Sequence, residues 1–389
     1  MTIAMPAPAA DDMIRDPAMT RPLSLGDPSG PRVAVKECLG VQGWPTRAGS
    51  AAREDVAPET RHSDCVQALL SAGCHIVGLA NMHELAFGMT GANAHTGTPV
   101  NPGWPDRIPG GSSSGSAVLT ASGAVDFAIG TDTGGSVRQP ACCCGIYGMK
   151  PSFGRISRRG AVPVSSSLDC IGAFARDAAT LAQAMQALVP GLDLPAVEAP
   201  RLAHVPGETA PDVADALSGA LAALGVTETR GLPGMAAAFE AAMIVISHEM
   251  AAEFGALAAG PAPMGGDVRQ RILAGRALSD DDRQRAETVR AAFTQEVDRA
   301  LDGLDALILP TLPVVPPTWQ EARDPAAILP LTRFLRPFNL SGHPALTIPL
   351  RTVQGLPAGL QLVGAKGADG LLCALAIFIE SRLTQEVRP

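Results

Sequence analysis

Residues 110–116 read GGSSSGS and residues 131–136 read TDTGGS, and the 14 residues between them carry an apolar run. Serine hydroxyls can attack, relay protons or cap helices, and glycines beside them let backbone N–H groups approach a bound molecule closely. A third chemically capable group stands far upstream. Lysine occurs only at Lys36, Lys150 and Lys366, in a chain that otherwise carries its positive charge on arginine. An amine can give up its proton where a guanidinium cannot, so a lysine kept in such a background is a candidate for proton chemistry.

These groups need rigid supports, and the flanking sequence supplies them. SAVLTASG after the first cluster reads as a short helix, and VDFAIG before the second reads as a buried strand. Ser112 and Ser136 then sit at the mouths of two turns held apart by packed structure. Residues 32–36, RVAVK, alternate as a short strand that carries Lys36 to its end. Read alone, Lys36 would be a lysine snorkelling to the surface. DCVQALLSA reads as a helix stopped by Gly73, HIVGLA as a strand, and residues 177–188 as a helix with Leu181, Met185 and Leu188 on its core face.

The rest of the chain is placed more coarsely. Residues 1–31, rich in Pro, Ala and Asp, read as a loose arm, and residues 190–210 as a linker or rim loop. Residues 211–303 are Ala-rich and helical, with a helix start at Ser279. LDALILP, ALTIP and LPAGLQLVG supply late strands before a helix over 371–383. The expected fold class is α/β: a single large α/β/α domain spanning 32–389, with a mixed central sheet covered by helices on both faces. Within it we expect a core over 32–190, a variable helical segment over 191–303, and C-terminal strands and helix over 304–389.

Composition bounds the function. The 389 residues are 46% hydrophobic, enough for a large core, and the net charge of −8 offers no general basic surface for nucleic acid. Eight cysteines include the run Cys142, Cys143 and Cys144, with no CxxC pair and no zinc-like spacing; buried thiols in a reducing compartment are expected, and no metal or cofactor. The first residues lack a basic start followed by an apolar stretch, and no apolar run reaches about 18 residues. The expectation is a cytoplasmic protein without a membrane partner.

The central stretch resembles the amidase signature family of serine hydrolases. GGSSSGSA at 110–117, GTDTGGSVRQPA at 130–141 and CGIYGMKPSFGRIS at 144–157 carry the resemblance. It extends to RVAVKECLGVQGWPTRAGS and GLANMHELAFG upstream, and to SLDCIGAFARD, NLSGHPALTIPL and GLPAGLQLVG downstream. The resemblance implies a Ser-cisSer-Lys amidohydrolase in which Ser136 attacks the carbonyl, Ser112, held after a cis Gly111–Ser112 bond, relays protons, and Lys36 begins as the neutral base. The N–H groups of Thr133, Gly134, Gly135 and Ser136 are then the candidate oxyanion cradle. Ser113 is expected to tighten the network. Asp132 and Arg138 flank the nucleophile, either as a structural ion pair or, for Arg138, as a contact to a substrate carboxylate.

Two departures stand out: Glu37 replaces the family's usual Asp after the lysine, and Leu79 stands where relatives often have Lys. Lys150, Asn81 and Glu84 read as structural, and His83 and His95 as lone histidines. Many relatives also begin with a longer helical segment, which leaves the oligomeric state open; a homodimer is compatible with the resemblance. The implied activity is hydrolysis of a small-molecule linear amide through a serine acyl-enzyme.

Other readings compete with it. Gly111, Ser113 and Gly115 satisfy the GxSxG elbow of α/β-hydrolases, with Ser113 as nucleophile and His343 as a late histidine. The glycine turns could also hold an anion, although no GK[ST] ending follows them. Within the family, the chain could instead be the amidase subunit of a tRNA-dependent amidotransferase, which would need a partner.

Overall fold

The computed structural model describes residues 17–385; the first 16 residues of the expected arm lie outside it. Ten strands form one sheet in the order β1-β3-β2-β4-β6-β5-β9-β10-β8-β7. They are β1 Met19–Gly26, β2 Arg32–Lys36, β3 His75–Ala80, β4 Phe127–Asp132, β5 Tyr147–Lys150, β6 Cys170–Ala175, β7 Leu202–His204, β8 Ala306–Pro310, β9 Ala345–Arg351 and β10 Pro357–Val363. Strand β2 lies parallel to both β3 and β4, whereas β4, β6, β5, β9, β10 and β8 pair antiparallel, so the sheet is mixed.

The helices are α1 Asp64–Ser71, α2 Ser114–Ala121, α3 Arg138–Cys144, α4 Ala178–Leu188, α5 Pro211–Ala223, α6 Met235–Ala259, α7 Gly266–Gly275, α8 Asp280–Ala300, α9 Pro325–Ile328, α10 Arg336–Leu340 and α11 Asp369–Gln385. Successive side chains of a strand point to opposite faces, and here the two faces meet different helices. Ala34, Ala128 and Phe174 join Ala117 and Val118 of α2, Ala141 of α3, and Val137 just before α3. Val33, Val35, Ile129 and Ala173 belong to the larger cluster with Leu181 and Met185 of α4 and Leu375 and Ile379 of α11. The expected three-layer α/β/α fold is therefore present.

Two expectations are corrected, and one helix is added. Met19–Gly26 is not a loose arm: its alternate residues are half-buried, and it adds antiparallel to β3 as the edge strand, where Pro22 lacks an N–H without cost to a central ladder. Residues 202–204 are not linker, because Leu202 and Ala203 pair parallel with β8 and close the opposite edge of the sheet. Helix α3 was not foreseen. All seven of its residues are buried, so RQPACCC shows no amphipathic period, and its end is marked only by Gly145 in the left-handed region at φ 66°.

Helix α6 is long and apolar enough, by length and composition, to span a membrane. The sequence reading misses this because Glu240, His248, Glu249 and Glu253 interrupt the run. Ala238, Ala242, Val245, Ile246, Met250 and Phe254 are instead buried in the main core. Ser279 caps α8 as expected, accepting from the Asp282 N–H while the Asp282 carboxylate accepts from the Ser279 N–H.

Candidate active site

Strands β2 and β4 run parallel and side by side, with Val35 opposite Ile129, so their carboxyl ends open at the same edge. Crevices at such ends are where α/β sheets bind ligands. Lys36 ends β2 and is completely buried. Its Nζ donates to Ser112 Oγ at 2.8 Å and to Thr131 Oγ1 at 2.8 Å. Burial drives its pKa down; Cys38, Asp169 and Asp132 oppose the shift without reversing it. A neutral amine in this position can take a proton that arrives through Ser112.

Ser112 is fully buried, and its bond to Gly111 is cis. Its carbonyl accepts from the His83 N–H at 2.9 Å, and the next N–H, of Ser113, donates to the Ser136 carbonyl at 3.4 Å. The two serine loops are thus tied through backbone. Ser136 is 8% exposed, and among the described residues its hydroxyl makes no hydrogen bond, which leaves it open to an incoming carbonyl.

Ser113 turns away from this edge. It is fully buried, donating to the Thr131 carbonyl at 3.2 Å and accepting the Thr131 N–H at 3.3 Å, so it fixes the strand end rather than touching substrate. The elbow reading fails with it. His343 bonds Ser341 Oγ and Asp298 Oδ1, each at 2.9 Å, and burial pushes its pKa down to about 4. Neither partner is Ser113.

The oxyanion cradle also needs correction. Gly135 sits at φ 112°, a conformation suited to glycine, but its N–H is already spent on Asp132 Oδ1 at 2.7 Å. The N–H groups of Thr133, Gly134 and Ser136 have no protein acceptor among the described residues and remain as donors. The Thr133 hydroxyl is occupied by Asp169 Oδ1 at 2.8 Å.

Asp132 and Arg138 do not form a substrate contact. Both are fully buried. Arg138 Nε and Nη2 reach Asp132 at 3.0 and 2.9 Å, and the remaining donors go to the Leu335 carbonyl, Gln361 Oε1 and Asn339 Oδ1. All five guanidinium N–H groups are therefore consumed. Burial alone would raise the Asp132 pKa, but Arg138 and Asn339 outweigh it and hold the carboxyl well below the usual range. The pair shapes the loop that carries Ser136, since Asp132 also accepts from the Val137 N–H at 3.2 Å.

Sequence reasoning passed over Thr131, Asn339 and Gln361. Thr131 stands inside the quoted motif, yet only the fold shows that its hydroxyl meets Lys36. Asn339 donates to the Asp132 carbonyl at 2.7 Å across 207 residues of chain, a pairing that no local pattern announces. Lys150 is structural as expected: it is buried and donates to the Pro151 carbonyl at 2.9 Å. No group of His, Cys, Asp and Glu side chains suited to a metal ion occurs among the described residues.

Comparison with known proteins adds a family. The family model described as Amidase matches residues 29–244 and 256–373. The A subunit of a glutamyl-tRNA(Gln) amidotransferase from Chloroflexus aurantiacus is 33% identical over 398 residues, covering 88% of this chain and 80% of that protein. A crystal structure of an amidase superposes with a TM-score of 0.83 at 35% identity, covering 92% of this chain and 86% of the other. A chain from a vestigial protein complex, solved in connection with the origins of an s-triazine catabolic enzyme, gives a TM-score of 0.84 at 28% identity, covering 92% and 85%.

Proposed function

Because the chain belongs to the amidase family, the amidase signature hydrolases, we propose that it hydrolyses a linear carboxylic amide to an acid and ammonia or an amine through an acyl-enzyme on Ser136. The observation that carries this reading is the buried contact between Lys36 Nζ and Ser112 Oγ. A dry lysine with its pKa driven down is a base, and the hydroxyl beside it is its relay.

In this reading Ser112 gives its proton to Lys36 and takes one from Ser136, whose oxygen then attacks the amide carbonyl. The N–H groups of Thr133, Gly134 and Ser136 stabilise the tetrahedral oxyanion. Its collapse breaks the C–N bond, and the proton held on Lys36 returns through Ser112 to the departing nitrogen. Water then attacks the acyl carbon and gives a proton through Ser112 to Lys36; collapse breaks the bond to Ser136 Oγ, which takes that proton back as the acid leaves.

A second reading has comparable support. The identity to the amidotransferase relative over most of the chain favours a role as the amidase subunit of a tRNA-dependent amidotransferase-like complex, in which the ammonia is handed on rather than released. Ammonia release from a panel of small, aryl and dicarboxylic amides separates the two. Turnover by this chain alone, lost in Ser136→Ala, supports the free amidase. Turnover only after a partner subunit is added supports the complex. Turnover unaffected by Ser136→Ala removes both.

A further inference from the structure

Arg336 opens α10 and is 8% exposed, yet among the described residues it has no carboxylate partner. Its Nε donates to Thr332 Oγ1 at 2.7 Å and its Nη2 to the weakly accepting sulfur of Met89 at 3.3 Å, while Nη1 has no acceptor among the described residues. The nearest aromatic face, Phe239, lies 5.8 Å away. Buried charges are ordinarily paired, because removing one from water without a counter-ion is costly. Arg138, which bonds the carbonyl of the adjacent Leu335, shows the ordinary solution, with every donor spent.

The open end of Arg336 faces the reactive loop. A Cβ placed on Gly134 would lie 3.2 Å from Arg336 Nη1, so the free nitrogen rests against the backbone that would hold the oxyanion. Burial, and after it the charge of Arg271, pushes the Arg336 guanidinium down to about 10; the carboxylate of Asp132, which bonds Arg138 and not Arg336, opposes the shift without cancelling it. Arg271 itself is partly exposed and already engaged by Asp267 at 2.9 Å.

We propose that Arg336 selects the acyl part of the substrate by pairing with a carboxylate, so that the preferred substrate is the half-amide of a short dicarboxylic acid. This rests on the reading of Ser136 as the nucleophile. The guanidinium fork takes a carboxylate through two N–H groups, and Nη1 is free for one of them. Its place beside Gly134 sets the carboxylate only a few bonds from the reacting carbonyl. Hydrolysis adds water across the C–N bond and yields the diacid and ammonia.

The test compares malonamate, succinamate and glutaramate with butyramide, the neutral analogue of similar length. The parent enzyme should prefer its best half-amide over butyramide by about 100-fold in kcat/KM, the scale of one charge-assisted pair at a desolvated site. Arg336→Met should remove that preference, mainly through KM, so that the best half-amide and butyramide are turned over with kcat/KM values within about threefold of each other in the same variant. Arg336→Lys should restore part of it. A parent that hydrolyses butyramide as well as every half-amide overturns the proposal, as does an Arg336→Met that keeps the preference.

A binding measurement covers the case in which Arg336→Met does not fold or no substrate of the panel turns over. Succinate, but not butyrate, should protect Ser136 of the parent protein from labelling by a serine-reactive sulfonyl fluoride. Equal protection by both, or by neither, overturns the carboxylate pairing. Absence of labelling at Ser136 overturns the nucleophile assignment instead, so the two failures are distinguishable.

Discussion

Lys36 Nζ lies 2.8 Å from Ser112 Oγ, with neither residue exposed to solvent, although 76 positions separate them in the chain. The contact exists because β2 ends where the loop before α2 begins, and Thr131 at the end of the neighbouring strand holds the amine from the other side at 2.8 Å. A base, a relay and an anchored strand end thus share one dry corner.

Removing members of this group should separate their roles. Ser136→Ala and Lys36→Ala should each lower kcat by about 10⁴-fold or more, while Ser112→Ala retains a small residue of turnover. Circular dichroism should show all three folded. Ser136→Ala turning over amides at the parental rate would end the assignment.

The buried amine also predicts a stability effect with a definite sign. Unfolded, Lys36 stays protonated up to about pH 10.4, whereas burial lowers its folded pKa, so the unfolded chain binds the extra proton between the two values. Stability from this residue therefore rises as pH climbs through that window and is depressed below it. Lys36→Met should raise the thermal midpoint at neutral pH and flatten the rise toward alkaline pH. A lower midpoint with an unchanged slope would mean that the amine is not held neutral.

How much of this was legible in sequence depends on how local each interaction is. The two serine turns and the strand ending at Lys36 were readable because each is a short pattern with its own turn or alternation. The edge strand Met19–Gly26 was not, since an edge tolerates Pro22 and needs only half-burial, which leaves a faint pattern. Helix α3 was hidden for the opposite reason, burial on every side. The pairing of Arg138 with Asn339 and Gln361 spans 201 and 223 residues, so only the fold could show that this arginine is used up.

That consumed arginine predicts a stability defect rather than a specificity change. Arg138→Met leaves the Asp132 carboxylate buried and unpaired, and should cost about 3–5 kcal/mol in urea unfolding. Adding Asp132→Asn should recover part of the loss, because the stranded charge is gone while Asn339 can still bond the amide. A double variant less stable than Arg138→Met alone would contradict a loop held by this ion pair.

Glu37 supplies a second pH-dependent prediction, and here the departure from the family's usual residue matters. The carboxyl is 7% exposed, and its Oε2 has no hydrogen-bond partner among the described residues. Burial raises its pKa to about 7; Arg47, the Gly49 N–H, Arg21 and Thr20 oppose the shift without cancelling it. Since the folded state holds the proton more tightly than the unfolded chain, Glu37 contributes stability below the ordinary carboxyl value of about 4.3, and loses it as pH rises to about 7. The span corresponds to roughly 3–4 kcal/mol. Glu37→Gln, which cannot ionise, should remove that slope, so the variant gains on the parent by roughly 2–3 kcal/mol between about pH 5 and about pH 8 in urea unfolding. The comparison across pH isolates ionisation from any packing change, because a packing defect would shift both measurements alike. Parallel curves for the two proteins would place the Glu37 carboxylate in a solvated setting and overturn the account.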